Sequence, residues 1–206
     1  MILARPHDLV RLADPDAILA GTEPAWVGVA LAAAPWAVIR RAPAPAGHLA
    51  AGVRGSARHQ RHATLIPAEA VAGITRPEDL RQAASVISPQ TPALAALREC
   101  RPILDGLGRP WGPTGSVGFE LATGCPATTQ ASDLDLIIRL STLSSLSCPA
   151  ALAGQLCRLA ARVDCQLETG HGAVALAELA TRPDKIVLRT SHGPRLITLE
   201  QAMAMS

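Results

Sequence analysis

The sequence predicts an α+β fold, with a small β-rich N-terminal module over residues 1–88 and a larger domain over residues 89–206. In the first part, short apolar runs alternate with turn-forming residues, which is the pattern of short strands joined by loops. In the second part, segments with helical spacing are mixed with short apolar runs. The stretch Ser88–Pro92 contains two prolines and is the predicted linker between the two parts.

The composition is that of a globular protein, with 49% hydrophobic and 17% charged residues. A net charge of +2 is too small to indicate nucleic-acid binding, and one Phe, three Trp and no Tyr give few stacking platforms for single strands. The longest apolar stretch, 25–39, contains Pro35 and is too short to span a membrane. The first residues are interrupted by charges, unlike a signal peptide. We therefore expect a cytoplasmic protein without nucleic-acid or membrane partners.

In the N-terminal module, the residues that follow Arg5 and Pro6 are predicted to begin a short helix, because proline is favoured in a first helical turn. Residues 26–30 fit either a strand or the start of a helix. Acidic residues after Pro77 and a capping Thr75 predict a further helix. Three apolar runs bounded by turn residues are predicted strands: 37–42, 49–53 and 62–66.

Residues 24–68 contain no acidic side chain, although they carry five arginines and three histidines: Arg40, Arg41, Arg54, Arg58, Arg61, His48, His59 and His62. One interpretation is a binding surface for a phosphate-rich substrate, because guanidinium groups bind phosphate through two hydrogen bonds. The alternative is a solvated basic loop. Arg54, Arg58 and Arg61 are the candidate phosphate ligands, since nearby glycines allow the backbone to approach a ligand.

The larger domain is predicted to begin with a helix from Thr91 or Pro92 to about Leu104, ended by glycines. Residues 149–162 have leucines at helical spacing and predict an amphipathic helix. The remaining predicted elements are a strand at 162–168, a short helix at 173–180 with Glu178 exposed, and a hairpin of strands at 185–189 and 195–199.

Two features between residues 111 and 140 indicate chemistry. Gly115 and Ser116 open a short apolar helix, and Asp133-Leu134-Asp135 leads into an apolar strand. Strand side chains alternate, so both carboxylates point to one side and Leu134 points into the fold. Such a pair favours a bound Mg²⁺ or Mn²⁺, which would also contact substrate phosphates, and the Gly-Ser turn offers N–H groups and a hydroxyl to phosphate. The alternative for an Asp-x-Asp alone is an exposed strand end. Together the features predict nucleotidyl or phosphoryl transfer.

This pairing resembles the active-site motif of the nucleotidyltransferase superfamily: Gly-Ser, a helix, a loop, then Asp-x-Asp on a strand. The resemblance implies that residues 89–206 form a polymerase-β-like domain, a mixed sheet with helices packed on it, in which Asp133 and Asp135 are catalytic and bind metal. It also implies a third carboxylate on a later strand. Asp164 is the candidate for this role, and Glu168, on the same strand face, is the alternative.

Within that superfamily, the chain is similar to the phosphoribosyl-dephospho-CoA transferases of malonate decarboxylase systems, which are holo-acyl-carrier-protein synthases. The similarity rests on seven segments: RPHDL from Arg5, VIRRA from Val38, GVRG from Gly52, WGPTGSVGFELATG from Trp111, ASDLDLIIR from Ala131, QLETGHGAVALAELA from Gln166 and VLRTSHGPRLI from Val187.

This similarity implies a specific reaction. Phosphoribosyl-dephospho-CoA would pass from 2′-(5″-triphosphoribosyl)-3′-dephospho-CoA to a serine of the apo acyl-carrier subunit of malonate decarboxylase, and pyrophosphate would leave. Gly115 and Ser116 would bind the outer phosphates, and Asp164 would complete the metal site or help to deprotonate the serine. The basic segment would bind either the other ligand phosphates or an acidic face of the carrier.

Two other functions fit the same motif. An NTP-dependent nucleotidyltransferase would use this site to modify another protein or a small molecule. A non-catalytic nucleotide-binding module would keep the fold without turnover, although the intact Ser116, Asp133 and Asp135 argue against it.

Overall fold

Two β-sheets with helices packed on them form the fold, which confirms the predicted α+β class. The computed structural model describes residues 4–57, 59–83 and 90–205. The predicted domain boundary between residues 88 and 89 lies outside these ranges and stays a prediction. Arg58, one of the three candidate phosphate-binding arginines, also lies outside them.

The N-terminal sheet has five strands, all antiparallel, in the order β4-β3-β2-β1-β5. The strands are β1 (Leu9–Leu12), β2 (Trp36–Ile39), β3 (His48–Arg54), β4 (Arg61–Pro67) and β5 (Val71–Thr75), and the helix α1 covers Trp26–Ala33. Val27 and Leu31 of α1 pack with buried residues of the sheet into one core, which also contains Val10, Val53 and Ile66.

The three strands predicted for this module are confirmed as β2, β3 and β4, although β2 ends at Ile39, three residues before the predicted end at 42. The helix predicted after Pro6 is wrong, because Leu9–Leu12 form a central strand between β2 and β5. Three of its four residues are buried, so its apolar run shows no clear alternation, and pairing on both edges outweighs the local proline signal. Residues 26–30 belong to α1, and the segment Pro77–Arg81 is a 3₁₀ helix.

The C-terminal sheet has six strands in the order β11-β10-β9-β8-β7-β6. Only the β7–β8 pair is parallel among the described pairs. The strands are β6 (Trp111–Pro113), β7 (Leu134–Arg139), β8 (Val163–Thr169), β9 (Gly172–Ala175), β10 (Lys185–Thr190) and β11 (Gly193–Thr198). The helices are α2 (Pro92–Asp105), α3 (Gly115–Thr123), α4 (Pro149–Leu156), α5 (Leu176–Ala180) and α6 (Leu199–Ala204).

Most elements predicted for this domain are confirmed, namely α2, α3, β7, β8 and the β10–β11 hairpin. The helix α4 ends at Leu156, six residues before the predicted end at 162. The helix predicted at 173–180 is wrong in its first part, because Gly172–Ala175 pair with β8 as strand β9. Glu178 is half-buried rather than exposed, since its carboxylate accepts a hydrogen bond of 2.8 Å from the Val187 N–H.

The two faces of the C-terminal sheet have different neighbours. One face, which includes Leu134, Leu136 and Leu167, contributes to the largest core together with α2 and α4. On the other face, Arg139 and Glu168 form ion pairs with residues that flank strands of the N-terminal sheet, Asp8, Arg41 and Glu78. This second face therefore lies at the junction between the two sheets. In the described part of the chain, no helix combines the length and apolar character needed to cross a lipid bilayer.

The turn after β5 packs directly on the C-terminal sheet. The Pro77 carbonyl lies so close to Gly112 of β6 that a Cβ at position 112 would overlap it. Glu78 of the same turn binds Arg139 of β7. The junction is thus a closely packed contact between backbones as well as a set of ion pairs.

Candidate active site

A cavity of about 190 Å³ lies at the junction, beside the start of α3. It brings together six of the residues predicted from the sequence: Arg54, Arg61, Gly115, Ser116, Asp133 and Asp135. The arginines come from β3 and β4 of the N-terminal sheet, and the other four come from the C-terminal domain. Two carboxylates, two guanidinium groups and a helix N-terminus therefore line one small space.

The start of α3 lies directly against the carboxylate of Asp135. Gly115 has a φ of +58°, in the left-handed region, and a Cβ at this position would overlap the Asp135 Oδ2 atom. The Thr114 N–H donates a hydrogen bond of 2.8 Å to the Asp135 carbonyl, which fixes α3 to β7. A glycine is thus required at position 115, both for its backbone conformation and for the space that the carboxylate occupies.

The loop between α3 and β7 is held in place by Glu120. Its Oε2 atom accepts hydrogen bonds from the Ala127 N–H (2.8 Å), the Thr128 N–H (2.7 Å) and the Thr128 hydroxyl (2.8 Å). Burial alone would raise the pKa of Glu120, but these hydrogen bonds and Arg54 outweigh it, so the pKa is lowered. The ionised Glu120 does not line the cavity itself, but it fixes the loop that contributes Ala127 to the lining.

Arg54 lines the cavity and contacts both α3 and the loop that follows it. Its Nη2 atom donates to the Ala127 carbonyl at 2.9 Å, and its guanidinium carbon lies 5.9 Å from the centre of the Phe119 ring. Burial lowers the pKa of Arg54, and the nearby Arg61 lowers it further, while Asp135 and Glu120 act in the opposite direction. Two positive groups thus lie close together in a partly desolvated place, where a bound anion would relieve their repulsion.

Besides Ala127, three further polar residues line the cavity that were not among the predicted site residues: Ser56, Thr129 and Ser132. Ser132 lies next to the Asp-x-Asp motif, and its hydroxyl accepts a hydrogen bond of 2.9 Å from the Thr129 N–H. The position of Ser132 beside Asp133 is a signal that could have identified it. Ser56 and Thr129 are small polar loop residues and carry no such signal.

The two candidates for the third carboxylate differ in their surroundings. Asp164 is exposed and is the register partner of Asp135 across the parallel β7–β8 pair, but it is not among the described residues that line the cavity. Glu168 is buried, and both of its oxygens bind Arg41, with 2.8 Å between Arg41 Nη1 and Oε1. Glu168 therefore already has a counter-charge, while the role of Asp164 stays a prediction.

The basic residues of segment 24–68 lie at different places in the structure. Arg54 and Arg61 line the cavity, and Arg41 is paired with Glu168. Arg40 lines two shallow grooves on the other side of the junction, and His62 contacts the ring of Trp26 edge-on, with 6.5 Å between the ring centres. Only part of the segment therefore faces the candidate active site.

The donor set fits a metal that binds few protein ligands. Within the described ranges, no group of three or more His, Cys, Asp or Glu side chains is arranged to hold a metal ion. Asp133 and Asp135 line the same cavity, however, and Mg²⁺ commonly binds one or two carboxylates while substrate phosphates and water complete its shell. The residues present thus suit Mg²⁺ bound together with a phosphorylated ligand.

Comparisons with known proteins identify the family of the chain. The family model for the phosphoribosyl-dephospho-CoA transferase MdcG C-terminal domain matches residues 79–200, and the model for the MdcG N-terminal domain matches residues 5–77. The chain belongs to the phosphoribosyl-dephospho-CoA transferase family. The family resemblance stated from the sequence is thereby confirmed.

Individual members of the transferase family are similar along nearly the whole chain. A phosphoribosyl-dephospho-CoA transferase of Pseudomonas syringae pv. tomato is 42% identical, over 94% of this chain and 91% of the relative. The transferase of Azotobacter vinelandii is 40% identical, over 95% and 93%, and that of Pseudomonas aeruginosa is 40% identical, over 93% and 91%. No solved structure matches the chain significantly.

Both regions of the transferase family contribute to the cavity. Arg54 and Arg61 lie within the stretch matched by the N-terminal family model, and Gly115, Asp133 and Asp135 lie within the stretch matched by the C-terminal one. Positive groups and carboxylates therefore line one cavity only when the two regions are packed together.

Proposed function

We propose that this protein transfers phosphoribosyl-dephospho-CoA from 2′-(5″-triphosphoribosyl)-3′-dephospho-CoA to a serine of the apo acyl-carrier subunit of malonate decarboxylase, with release of pyrophosphate. The names of the relatives support the group that is transferred. The observation that carries the proposal is the cavity that Arg54 and Arg61 line together with Asp133 and Asp135. A triphosphate needs such positive groups, and the reaction centre needs a bound cation.

The triphosphate would bind between the arginines and the start of α3. Arg54 and Arg61 would bind its outer oxygens through charge-assisted hydrogen bonds. The N–H groups of the first turn of α3 and the Ser116 hydroxyl would donate to the same phosphates, with the positive end of the helix dipole behind them. These contacts would place the α-phosphorus near Asp133 and Asp135.

Asp133 and Asp135 would hold Mg²⁺ or Mn²⁺, which when bound neutralises the charge that develops on the leaving pyrophosphate. The overlap that a Cβ at Gly115 would make with Asp135 Oδ2 supports this role, because it places the carboxylate beside the helix start that would bind the phosphates. The combination of a helix start and an Asp-x-Asp strand supports a site of the nucleotidyltransferase type.

The bond changes can be assigned to atoms. The serine Oγ of the carrier forms a bond to the α-phosphorus, and the bond from that phosphorus to the bridging oxygen of the β-phosphate breaks. Pyrophosphate leaves with the electron pair, and the serine proton passes to a carboxylate. Asp164 is our candidate acceptor, since it is exposed and lies beside Asp135 on the adjacent strand.

The experiment is an incubation of the protein, Mg²⁺ and triphosphoribosyl-dephospho-CoA with the apo acyl-carrier subunit of malonate decarboxylase, read by intact mass. We expect the carrier to gain one phosphoribosyl-dephospho-CoA group with the wild type and none with Asp135→Asn. A nucleotide adduct formed from ATP instead would identify an NTP-dependent nucleotidyltransferase. Nucleotide binding without any adduct would leave a non-catalytic module, and either result would refute the proposal.

A further inference from the structure

A second cavity, of about 240 Å³, adjoins the candidate active site. The two cavities share Arg54, Ser56 and Ala127 in their linings. The second cavity extends from Arg54 toward α1 and the loop after α3, and its volume is below the roughly 300–1,000 Å³ of pockets that enclose a whole drug-sized ligand. It would therefore take one part of a ligand whose other part occupies the first cavity.

Helix α1 presents an apolar stripe to this second cavity. Trp26, Val29, Ala30 and Ala33 line it, at the spacing of one helical face. The opposite side of α1 packs on the N-terminal sheet, because Val27 and Leu31 are buried in its core. The stripe includes Val29, whose 71% exposure is the highest among the large hydrophobic residues described. An apolar ligand surface would account for this exposure.

Two of the four aromatic residues of the chain line the cavity, Trp26 and Phe119. The other two do not line it. Trp111 is fully buried, and its Nε1 donates to Asp105 at 2.9 Å, while Trp36 lies in β2 and packs against the small apolar cluster that contains Phe119. Aromatic rings that border a cavity favour a planar ring as ligand, because the two can stack.

The hairpin between β3 and β4 supports the Trp26 ring from one side. A Cβ at Gly55 would lie 2.8 Å from the Trp26 ring and would overlap the Gln60 side chain, so the hairpin can approach this closely only with glycine at position 55. His62 contacts the same ring edge-on at 83°. The ring is thus held in place before any ligand binds, which lowers the entropic cost of binding.

We infer that the second cavity binds the purine base of the nucleotide substrate. The inference rests on the proposed function, which supplies a substrate that carries both an adenine and a triphosphate. The base would lie against Trp26 and Phe119, and the phosphates would lie in the first cavity. Arg54, which lines both cavities and lies over the Phe119 ring, would separate the two subsites.

Cys125 offers a direct test, because it lines the second cavity and is half-buried, whereas Cys157 is exposed and lies outside the described lining. The wild-type protein would be alkylated with iodoacetamide and the two cysteines followed by peptide mass spectrometry. We expect saturating AMP to slow alkylation of Cys125 at least about threefold and to leave Cys157 unchanged. Pantetheine and inorganic tripolyphosphate should protect neither. Protection of Cys125 by pantetheine, or no protection by AMP, would overturn the inference.

A pair of tryptophan variants gives a second readout. Trp26→Leu should raise the Kd for triphosphoribosyl-dephospho-CoA about tenfold, the order expected for loss of one stacked base, and should leave the Kd for inorganic tripolyphosphate unchanged. Trp36→Phe is the control, because Trp36 does not line the cavity and phenylalanine keeps an aromatic ring against the Phe119 cluster. It should change neither constant once its melting temperature shows that it is folded. Equal weakening of both ligands by Trp26→Leu would contradict a base subsite.

The two proposals can fail separately. If AMP protects Cys125 and Trp26→Leu removes that protection, while no carrier is ever modified, the base subsite stands and the proposed function falls. If the carrier is modified but AMP does not protect Cys125, the proposed function stands and the base subsite falls.

Discussion

The junction between the two sheets has two ends where the same kinds of side chain have different surroundings. At one end, here called the closed end, Arg139 binds Asp8 and Glu78 in buried ion pairs, with 3.1 Å between Arg139 Nη2 and Asp8 Oδ1. At the other end, here called the open end, Arg54 and Arg61 line a cavity together with Asp133 and Asp135. The buried ion pairs hold the modules together, whereas the charged groups that line a cavity can also contact a charged ligand.

Burial shifts the pKa values of the titratable groups at the closed end, because it disfavours their charged forms. Asp8 is fully buried, and burial raises its pKa, although the hydrogen bond from the Arg5 N–H and the charge of Arg139 oppose the shift. His7, beside Asp8, has a φ of +73°, in the left-handed region that His adopts more readily than most residues. Burial lowers the pKa of His7 to about 4, against the influence of Glu168 and Asp164.

The largest effect is expected at the open end. Asp135→Asn removes a carboxylate that is proposed to bind the metal, so the transfer rate should fall by at least about 10³-fold. The free energy of unfolding should change little, because the substitution keeps the size of the side chain. Transfer to the carrier and urea unfolding would be measured on the same preparation. A large loss of stability would show that the open end, too, is structural.

The next effect is expected at the closed end, where a substitution should lower the stability of the fold. Arg139→Met leaves Asp8 and Glu78 buried without their shared counter-charge, which should lower the free energy of unfolding by about 3 kcal/mol. Urea unfolding would measure it, with Arg101→Met as a control, because the Arg101–Asp105 pair is on the surface. If the two variants have the same free energy of unfolding, the buried ion pairs contribute no more to stability than the surface pair.

His7 gives the closed end a dependence on pH. Its pKa is about 4 in the folded protein and near 6.5 when unfolded, so the unfolded state takes up the proton first as the pH falls. The stability contributed by neutral His7 is complete above pH 6.5 and is lost between about pH 6.5 and 4. The wild type should lose about 2–3 kcal/mol more over this window than His7→Asn, which does not titrate and tolerates the same φ.

This prediction is checked by urea unfolding of both proteins at pH 7 and pH 4.5. The charged groups around His7 are Glu168, Arg41, Arg139 and Asp164, and they are present in both proteins, so their titration cancels in the comparison. Parallel pH profiles for the wild type and His7→Asn would show that the burial of His7 is not what limits stability in acid.

The smallest effect concerns a single phosphate contact at the open end. Arg61→Ala removes one of the two guanidinium groups of the cavity and should raise the KM for triphosphoribosyl-dephospho-CoA about tenfold. The KM for the carrier and the melting temperature should stay the same. If instead only the KM for the carrier rises, the basic segment binds the protein partner rather than the phosphates.

The open end was largely predictable from sequence, because its signals are local. Gly115, Ser116, Asp133 and Asp135 lie within one short motif, and a run of 45 residues without acid identified Arg54 and Arg61. The placement of Gly115, Ser116, Asp133 and Asp135 follows from a strand and a helix start that both have clear sequence patterns, whereas Arg54 and Arg61 join them through the packing of the N-terminal sheet.

The closed end and several strands could not be predicted in this way. Arg139 and Asp8 are 131 positions apart, and neither has a neighbour in sequence that signals the pairing. The short strands β6 and β9 exist because longer strands beside them supply hydrogen-bond partners, while their own three or four residues contain proline or glycine. The aromatic cavity likewise depends on α1 and α3 meeting across the junction.

The contact between Pro77 and Gly112 has a consequence for recombining relatives of this protein. A chimera joined where the two family models meet, near residue 78, would take the turn Pro77–Arg81 partly from one parent and its partner strand β6 from the other. Since no Cβ fits at position 112, even a small shift of the foreign turn would force the backbones into each other. A crossover directly after Thr75 keeps the turn, Glu78 and Gly112 from a single parent, and is the join at which exchanged halves should still fold.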